Sequence, residues 1–147
     1  LERSVNTLLI SSRGRYGLRS MVDMVVNAKD SPIPLRAIAE RQEISESYLE
    51  QVFAILRKAG LINAIRGSYG GYVLAKPPAE ITVGEILLAL EGPLVPVDCV
   101  KDGKNVHCGR KDVCLTQPFW KELSDKIGEV LSSTTLQDLV NQDHNTF

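Results

Sequence analysis

Leu35-Arg36-Ala37-Ile38-Ala39-Glu40-Arg41-Gln42-Glu43-Ile44-Ser45-Glu46-Ser47-Tyr48-Leu49-Glu50-Gln51-Val52-Phe53-Ala54-Ile55-Leu56-Arg57-Lys58-Ala59-Gly60 decides the fold of this 147-residue chain. Leu35, Ile38 and Ala39 fall on one face of a short amphipathic helix through Arg41. Glu43-Ile44-Ser45 is too short for anything but a tight connection. Ser45 is a good N-cap, because its hydroxyl can accept from the amides of the next helix. That helix puts Leu49, Val52, Phe53 and Leu56 inward, ends in Arg57-Lys58 and stops at Gly60, which tolerates a left-handed terminator. Two such helices, the second amphipathic and basic at its end, make a helix-turn-helix pattern.

After this pair, Leu61–Ile65 and Tyr72–Ala75 are short β-prone runs joined by Arg66-Gly67-Ser68-Tyr69-Gly70-Gly71. The three glycines permit the positive φ values of a hairpin tip and let the backbone approach a partner closely. Alone, the segment reads as a surface hairpin. Behind a helix-turn-helix it reads as a wing. Pro77-Pro78 closes this head. Thr82-Val83-Gly84-Glu85 is a capping box opening a helix through Leu90, and Glu91-Gly92-Pro93 ends it. From Pro118 a longer helix carries Phe119, Trp120, Leu123, Ile127, Val130 and Leu131 on one stripe, interrupted at Ser133-Thr134-Thr135 before a last turn, Leu136–Val140. Because the head has its own core, that stripe is expected to pack against a second copy of itself. Upstream, Ser11 or Ser12 caps a helix over Arg13–Ala28 with Tyr16, Met21, Val22, Val25 and Val26 at near-helical spacing. Asp30-Ser31-Pro32-Ile33-Pro34 breaks it.

The formal charge is only −1, but residues 11–76 hold ten Lys and Arg against six Asp and Glu, whereas residues 77–147 hold six against eleven. A basic front half and an acidic back half suit a head that faces nucleic acid and a tail that faces elsewhere. No stretch approaches the roughly 18–20 apolar residues of a membrane span. Leu1–Ile10 carries Glu2 and Arg3 without a long apolar region or a small-residue cleavage site, so it reads as a native extension, a cloning scar or an alternative start rather than a signal peptide. The expected compartment is the cytoplasm, with no membrane contact. Cys99, Cys108 and Cys114 lie within sixteen residues, eight residues separating the first two and five the last two. An odd count disfavours a disulfide framework and favours metal or redox chemistry.

Gly14-Arg15-Tyr16-Gly17-Leu18-Arg19, Ser47-Tyr48-Leu49-Glu50-Gln51, Arg66-Gly67-Ser68-Tyr69-Gly70-Gly71-Tyr72, Glu91-Gly92-Pro93 and Thr134-Thr135-Leu136-Gln137-Asp138-Leu139 follow one another as in the Rrf-two family. The chain resembles these bacterial regulators over about residues 9–140. The family includes iron–sulfur cluster regulators of the IscR type, nitric-oxide sensors of the NsrR type and cysteine-metabolism repressors of the CymR type. The resemblance implies a mainly α fold with a small β-hairpin wing: a winged helix-turn-helix head plus a long C-terminal dimerisation helix. It implies a homodimer on a pseudo-palindromic operator, the Ser45–Lys58 helix in the major groove and the Arg66–Gly71 wing at the minor groove. Residue chemistry agrees. Ser45, Ser47, Tyr48, Glu50 and Gln51 sit where side chains reach base edges or phosphates. Gln51 can pair with adenine. Glu50 can accept from a cytosine amino group and repels phosphate, so it selects more than it binds. Tyr48 fits either core or phosphate contact. Arg66 suits a narrow, electronegative minor groove, and Arg13, Gly67 and Tyr69 complete the expected DNA-binding set.

Three thiols on one loop can converge on a soft metal or a cluster, and in the family's cluster-binding members a three-cysteine loop at this place ligates an iron–sulfur cluster. Two departures leave the fourth ligand open. Where the IscR type carries a His three residues past the last Cys, this chain has Gln117. Where NsrR-type members use an Asp in the first helix, it has Arg15. His107, Gln117, an acidic residue of a second subunit or a small molecule remain candidates. The expected cofactor is an iron–sulfur cluster, two-iron two-sulfur in the first instance, with a zinc on three Cys plus His107, or no metal, as alternatives.

The reading divides the chain into an extension (1–10), a DNA-binding head (11–78), a connecting helix (79–97), the cysteine loop (98–116) and a dimerisation helix and tail (117–147). It expects a transcription regulator, repressor or activator, whose binding to double-stranded DNA is switched by the cluster. One alternative is a repressor controlled through a regulatory protein partner, with the thiols incidental. A zinc-stabilised interaction module is another. A thiol enzyme is disfavoured, since His107 and Cys108 are adjacent on an irregular loop and no orienting or oxyanion-hole motif accompanies them.

Overall fold

Strong caps and breakers cut the described residues of this computed structural model, 9–28, 30–97 and 114–142, into six helices and one hairpin. Helices α1 (Ser12–Asn27), α2 (Leu35–Gln42) and α3 (Glu46–Lys58) come first. Strands β1 (Ile62–Ile65) and β2 (Gly71–Leu74) follow, then a 3-10 turn at Pro78–Glu80 and α4 (Val83–Glu91). Beyond the cysteine segment come α5 (Gln117–Ser133) and α6 (Leu136–Val140). Leu1–Leu8, which hold most of the N-terminal extension, lie outside the described residues.

The α2–α3 turn is tight because Glu43 takes up a left-handed conformation at φ 55° and its amide reaches back to the carbonyls of Ala39 and Glu40. Ser45 then caps α3, its hydroxyl oxygen accepting from the Tyr48 amide at 3.2 Å. Leu49, Val52, Phe53 and Leu56 are buried, as the spacing predicts. They join Met21 and Met24 of α1, Ile38 of α2, Ile86 and Leu90 of α4 and Leu136 of α6 in one apolar cluster.

In the hairpin, Ile62 pairs with Leu74 and Ile65 with Gly71, antiparallel. It is tied to the chain ahead of α2, since Ile33 and Tyr72 exchange backbone hydrogen bonds of 3.0 and 2.8 Å. The Tyr72 ring meets the Phe53 ring edge-on at 5.0 Å. The tip uses its glycines in two different ways. Gly67 has φ 115°, the conformation expected of the turn. Gly70 is required instead by space, because a Cβ there would overlap the Ile65 carbonyl.

Two features of α1 differ from the spacing argument. Val26, expected on the apolar stripe, is 65% exposed, while Met24 is buried. The reason is that α1 packs against α2, α3, α4 and α6 together, so no single face defines its interior. Ser11 stands at the N-cap but does not cap with its side chain. The cap comes from Glu91, whose Oε1 accepts from the Ser11 amide at 2.9 Å, from the Gly14 amide at 3.1 Å and from the Ser11 hydroxyl.

At the other end, the Thr82–Glu85 capping box forms as read, with bonds of 2.9 and 3.1 Å. The chain leaving α5 is locked beside it by Val83 N–H to Thr134 O at 2.8 Å and Leu136 N–H to Ile81 O at 2.9 Å. A second capping box, Thr135 with Asp138, opens α6. No residue of α5 is buried. Trp120, Leu123, Ile127 and Leu131 are half-covered, and Phe119 and Val130 are 56% and 64% exposed.

Candidate nucleic-acid interface

The first two turns of α3 present Ser47, Glu50 and Gln51 to solvent while Leu49, Val52 and Phe53 face the core. An amphipathic helix held this way by its apolar side offers a polar row that costs no unfolding to reach. The Ser45 oxygen is engaged in the cap, which leaves its O–H to donate outward. Tyr48 resolves as a bridging residue. It is half-buried, its ring edge-on to Tyr16 at 6.0 Å and its Oη 3.2 Å from Ser12 Oγ. Arg13 on α1 is brought beside it, and Arg13, Tyr48 and Gln51 line one hollow of about 280 Å³ together with Ser11 and Ser12.

Arg66, Gly67 and Tyr69 stand exposed on the hairpin tip, Tyr69 at 92%. The structure thus gathers Arg13, Tyr48 and Gln51 around one hollow, leaves Ser47 and Glu50 exposed on α3 outside it, and carries Arg66, Gly67 and Tyr69 on a separate projection.

Sequence reasoning passed over the polar network that sets α2 against α1. Asp23 of α1 is buried, and Arg41 clasps both its oxygens with bonds of 2.7 to 3.2 Å while the Gln42 amide donates at 2.8 Å. Arg19, one turn earlier, donates to the last carbonyl of α2, Gln42 O, at 2.7 Å. Burial pushes the Asp23 carboxyl up, but hydrogen bonds from Arg41 and Gln42 and the Arg41 charge outweigh it, holding the group below its ordinary value. The available signal was an Arg and an Asp four apart on an otherwise apolar face. On the far side, the Thr82 amide and Lys76 (2.9 Å) likewise hold Glu85 below the usual range.

Of the candidate ligands, Cys114 and Gln117 are described; Cys99, His107 and Cys108 lie outside the described residues. Cys114 is half-buried with Sγ 3.2 Å from Thr116 Oγ1, and Gln117 is the first residue of α5. Among the described residues no group of three His, Cys, Asp or Glu side chains stands ready for a metal, and no helix is long and apolar enough to cross a membrane.

Comparison with known proteins agrees with this architecture. A transcriptional regulator named IscR from Photorhabdus laumondii is 43% identical over 132 residues, covering 90% of this chain and 79% of its own. The structure of CymR, described as the global cysteine regulator of B. subtilis, superposes with a TM-score of 0.76 at 42% identity, covering 92% of this chain and 99% of its own. That of IscR from T. potens gives 0.68 at 38% identity, covering 95% and 97%. These relatives are named as regulators, not enzymes. The family model Rrf2, "Iron-dependent Transcriptional regulator", matches residues 10–142, so nearly the whole chain is accounted for. With the helix-turn-helix, the hairpin wing and the trailing helix in family order, the chain belongs to the Rrf2 family of winged-helix transcriptional regulators.

Proposed function

We propose that the chain works as a homodimer on pseudo-palindromic duplex DNA, with α3 in the major groove and the hairpin at the minor groove. The observation that carries this is the exposed row Ser47, Glu50 and Gln51 on a helix whose opposite face is locked into the core. Phosphate contacts from Arg13, Ser45 and Tyr48 fix the register, Gln51 and Glu50 read base edges, and Arg66 supplies minor-groove affinity with Gly67 and Tyr69 at its side. The homodimer rests on α5. An amphipathic helix of 17 residues with none buried leaves an apolar stripe that a second copy would cover.

Two substitutions test the DNA reading. Arg66→Ala is expected to weaken operator binding by about 1–3 kcal/mol, measured by titration at fixed salt. Glu50→Ala is expected to broaden the accepted sequences with little loss at the best site. A selection on randomised duplexes that returns one consensus for both proteins removes Glu50 as a selector.

The donor chemistry of Cys99, Cys108 and Cys114 fits an iron–sulfur cluster, since three thiols in one short segment are the soft ligands such a group takes. Cys114 leads directly into the dimer helix, so occupancy of the site bears on how two heads are held apart. Bound there, a cluster would supply iron that responds to cluster supply, oxidation or nitric oxide. The fourth ligand stays between His107, Gln117, a residue of the second subunit and a small molecule. Cys99→Ala, Cys108→Ala and Cys114→Ala are each expected to lose cluster absorbance under anaerobic preparation yet remain folded dimers. Their operator affinity is expected to equal that of metal-free wild type. Identical affinity for the loaded protein and every variant would remove the cluster from regulation. The second reading would then stand: a repressor answering to cysteine status through a partner protein, which the likeness to CymR favours.

A further inference from the structure

The Glu91-Gly92-Pro93 motif has no part in the DNA or cysteine chemistry above, yet among the described residues its first member makes the hydrogen bond that spans the most chain. Glu91 is the last residue of α4, and Gly92, at φ 80°, turns the chain away toward the cysteine segment. Its carboxylate reaches back across eighty positions to accept the Ser11 and Gly14 amides and the Ser11 hydroxyl. Gly14 is buried, and a Cβ there would overlap Glu91 Oε1, so α1 is shaped to receive this carboxylate. The residue between those two amides and α3 is Ser12, whose Oγ stands 3.2 Å from Tyr48 Oη. Tyr48 lies in the first turn of α3, and its amide is the one Ser45 caps.

From this chain of contacts we infer that Glu91 is a positioning residue for operator recognition. It fixes the start of α1 against the end of α4, and through Ser12 it fixes Tyr48 and the first turn of α3. The placement of the chain entering the cysteine segment is thereby tied to the placement of the DNA-facing row. The inference rests on the reading of α3 as the helix that meets DNA. A carboxylate near phosphates also repels them, so geometry must be separated from charge. Glu91→Asp keeps the charge but is one methylene too short to serve both amides. Glu91→Gln drops the charge but keeps an oxygen at the same reach.

The probe is the tightest duplex returned by selection from randomised DNA, with a scrambled duplex of equal composition to cancel the non-specific term. For Glu91→Asp, the ratio of the two affinities is expected to fall about tenfold, the scale of coupling through a shared hydrogen-bond network. Glu91→Gln is expected to hold the ratio within about threefold, the residue of one altered hydrogen bond. Tyr48→Phe is expected to lower it alone, and Glu91→Asp combined with Tyr48→Phe to lower it no further than the larger single loss. A purely structural role would give additive losses and equal damage from Asp and Gln. Either result overturns the inference, as does an unchanged ratio in Glu91→Asp. Gln51→Ala tests the reading beneath. If it leaves the ratio unchanged, α3 is not the DNA-facing helix. If it lowers the ratio while Glu91→Asp does not, the coupling alone fails.

Discussion

Ile127→Asp is expected to turn the protein into a folded monomer and to weaken operator binding by about a hundredfold or more. Ile127 is half-covered in one copy, on a helix with no buried residue. An aspartate there is solvated in the monomer and must be stripped of water in a dimer, which costs several kcal/mol without a partner. The core cluster of the head does not include any α5 residue, so helical content should survive. DNA binding suffers more than the fold. On the dimer reading proposed above, each head offers one short row of contacts, and joining two heads raises overall affinity by about 10²–10⁴ through effective concentration alone. Sedimentation of wild type and variant, followed by operator titration, checks both halves. A variant that stays dimeric and binds normally would place the subunit contact elsewhere.

Asp23→Ala is expected to destabilise the protein by about 2–3 kcal/mol through the α1–α2 contact. The Asp23 side chain is 2% exposed, and its removal strips Arg41 and Gln42 of their acceptor. Arg41 keeps 39% exposure, so water takes up part of its charge and the loss falls short of a fully buried pair. For a chain of this size that corresponds to a melting temperature lower by roughly 5–10 °C. The pair also sets an acid limit. Because the folded carboxyl sits below its ordinary value, the stabilisation is complete above the unfolded value of about 4 and is lost as pH falls below it toward the folded one. Melting curves from neutral pH downward should converge for wild type and Asp23→Ala in that acid range. Parallel curves throughout would mean that Asp23 contributes no proton-linked stability.

What the sequence made legible was local. The Ser45 cap, the Thr82–Glu85 box, the α3 stripe and the hairpin with its Gly67 turn depend on residues within a few positions of one another, and each is where spacing puts it. What it hid was remote. Glu91 capping α1 spans eighty positions, and an acidic residue at a helix end carries no mark of its target. Asp23 carries no mark of its partners either, since Arg41 and Gln42 meet it from α2, 18 and 19 positions along the chain. Val26 was misplaced for the same reason. A helix packed on several sides has no single apolar face to find. Of the candidate site, Arg13, Tyr48 and Gln51 are brought to one hollow, a grouping no periodicity reveals.

The clamp at the end of α5 has a mechanical consequence. Thr134 and Leu136 are bonded to Val83 and Ile81, and Gly84 lets the Leu131 backbone lie against α4, so this end of the helix is welded to the head. Seventeen residues at 1.5 Å each make a rod of about 25 Å. A tilt of about 5° at the weld therefore sweeps the free end through about 2 Å, comparable to the helix shifts that carry subunit switching. The bond set at Thr134 and Leu136 is thus a fulcrum, and the leverage lies with the end that follows Cys114.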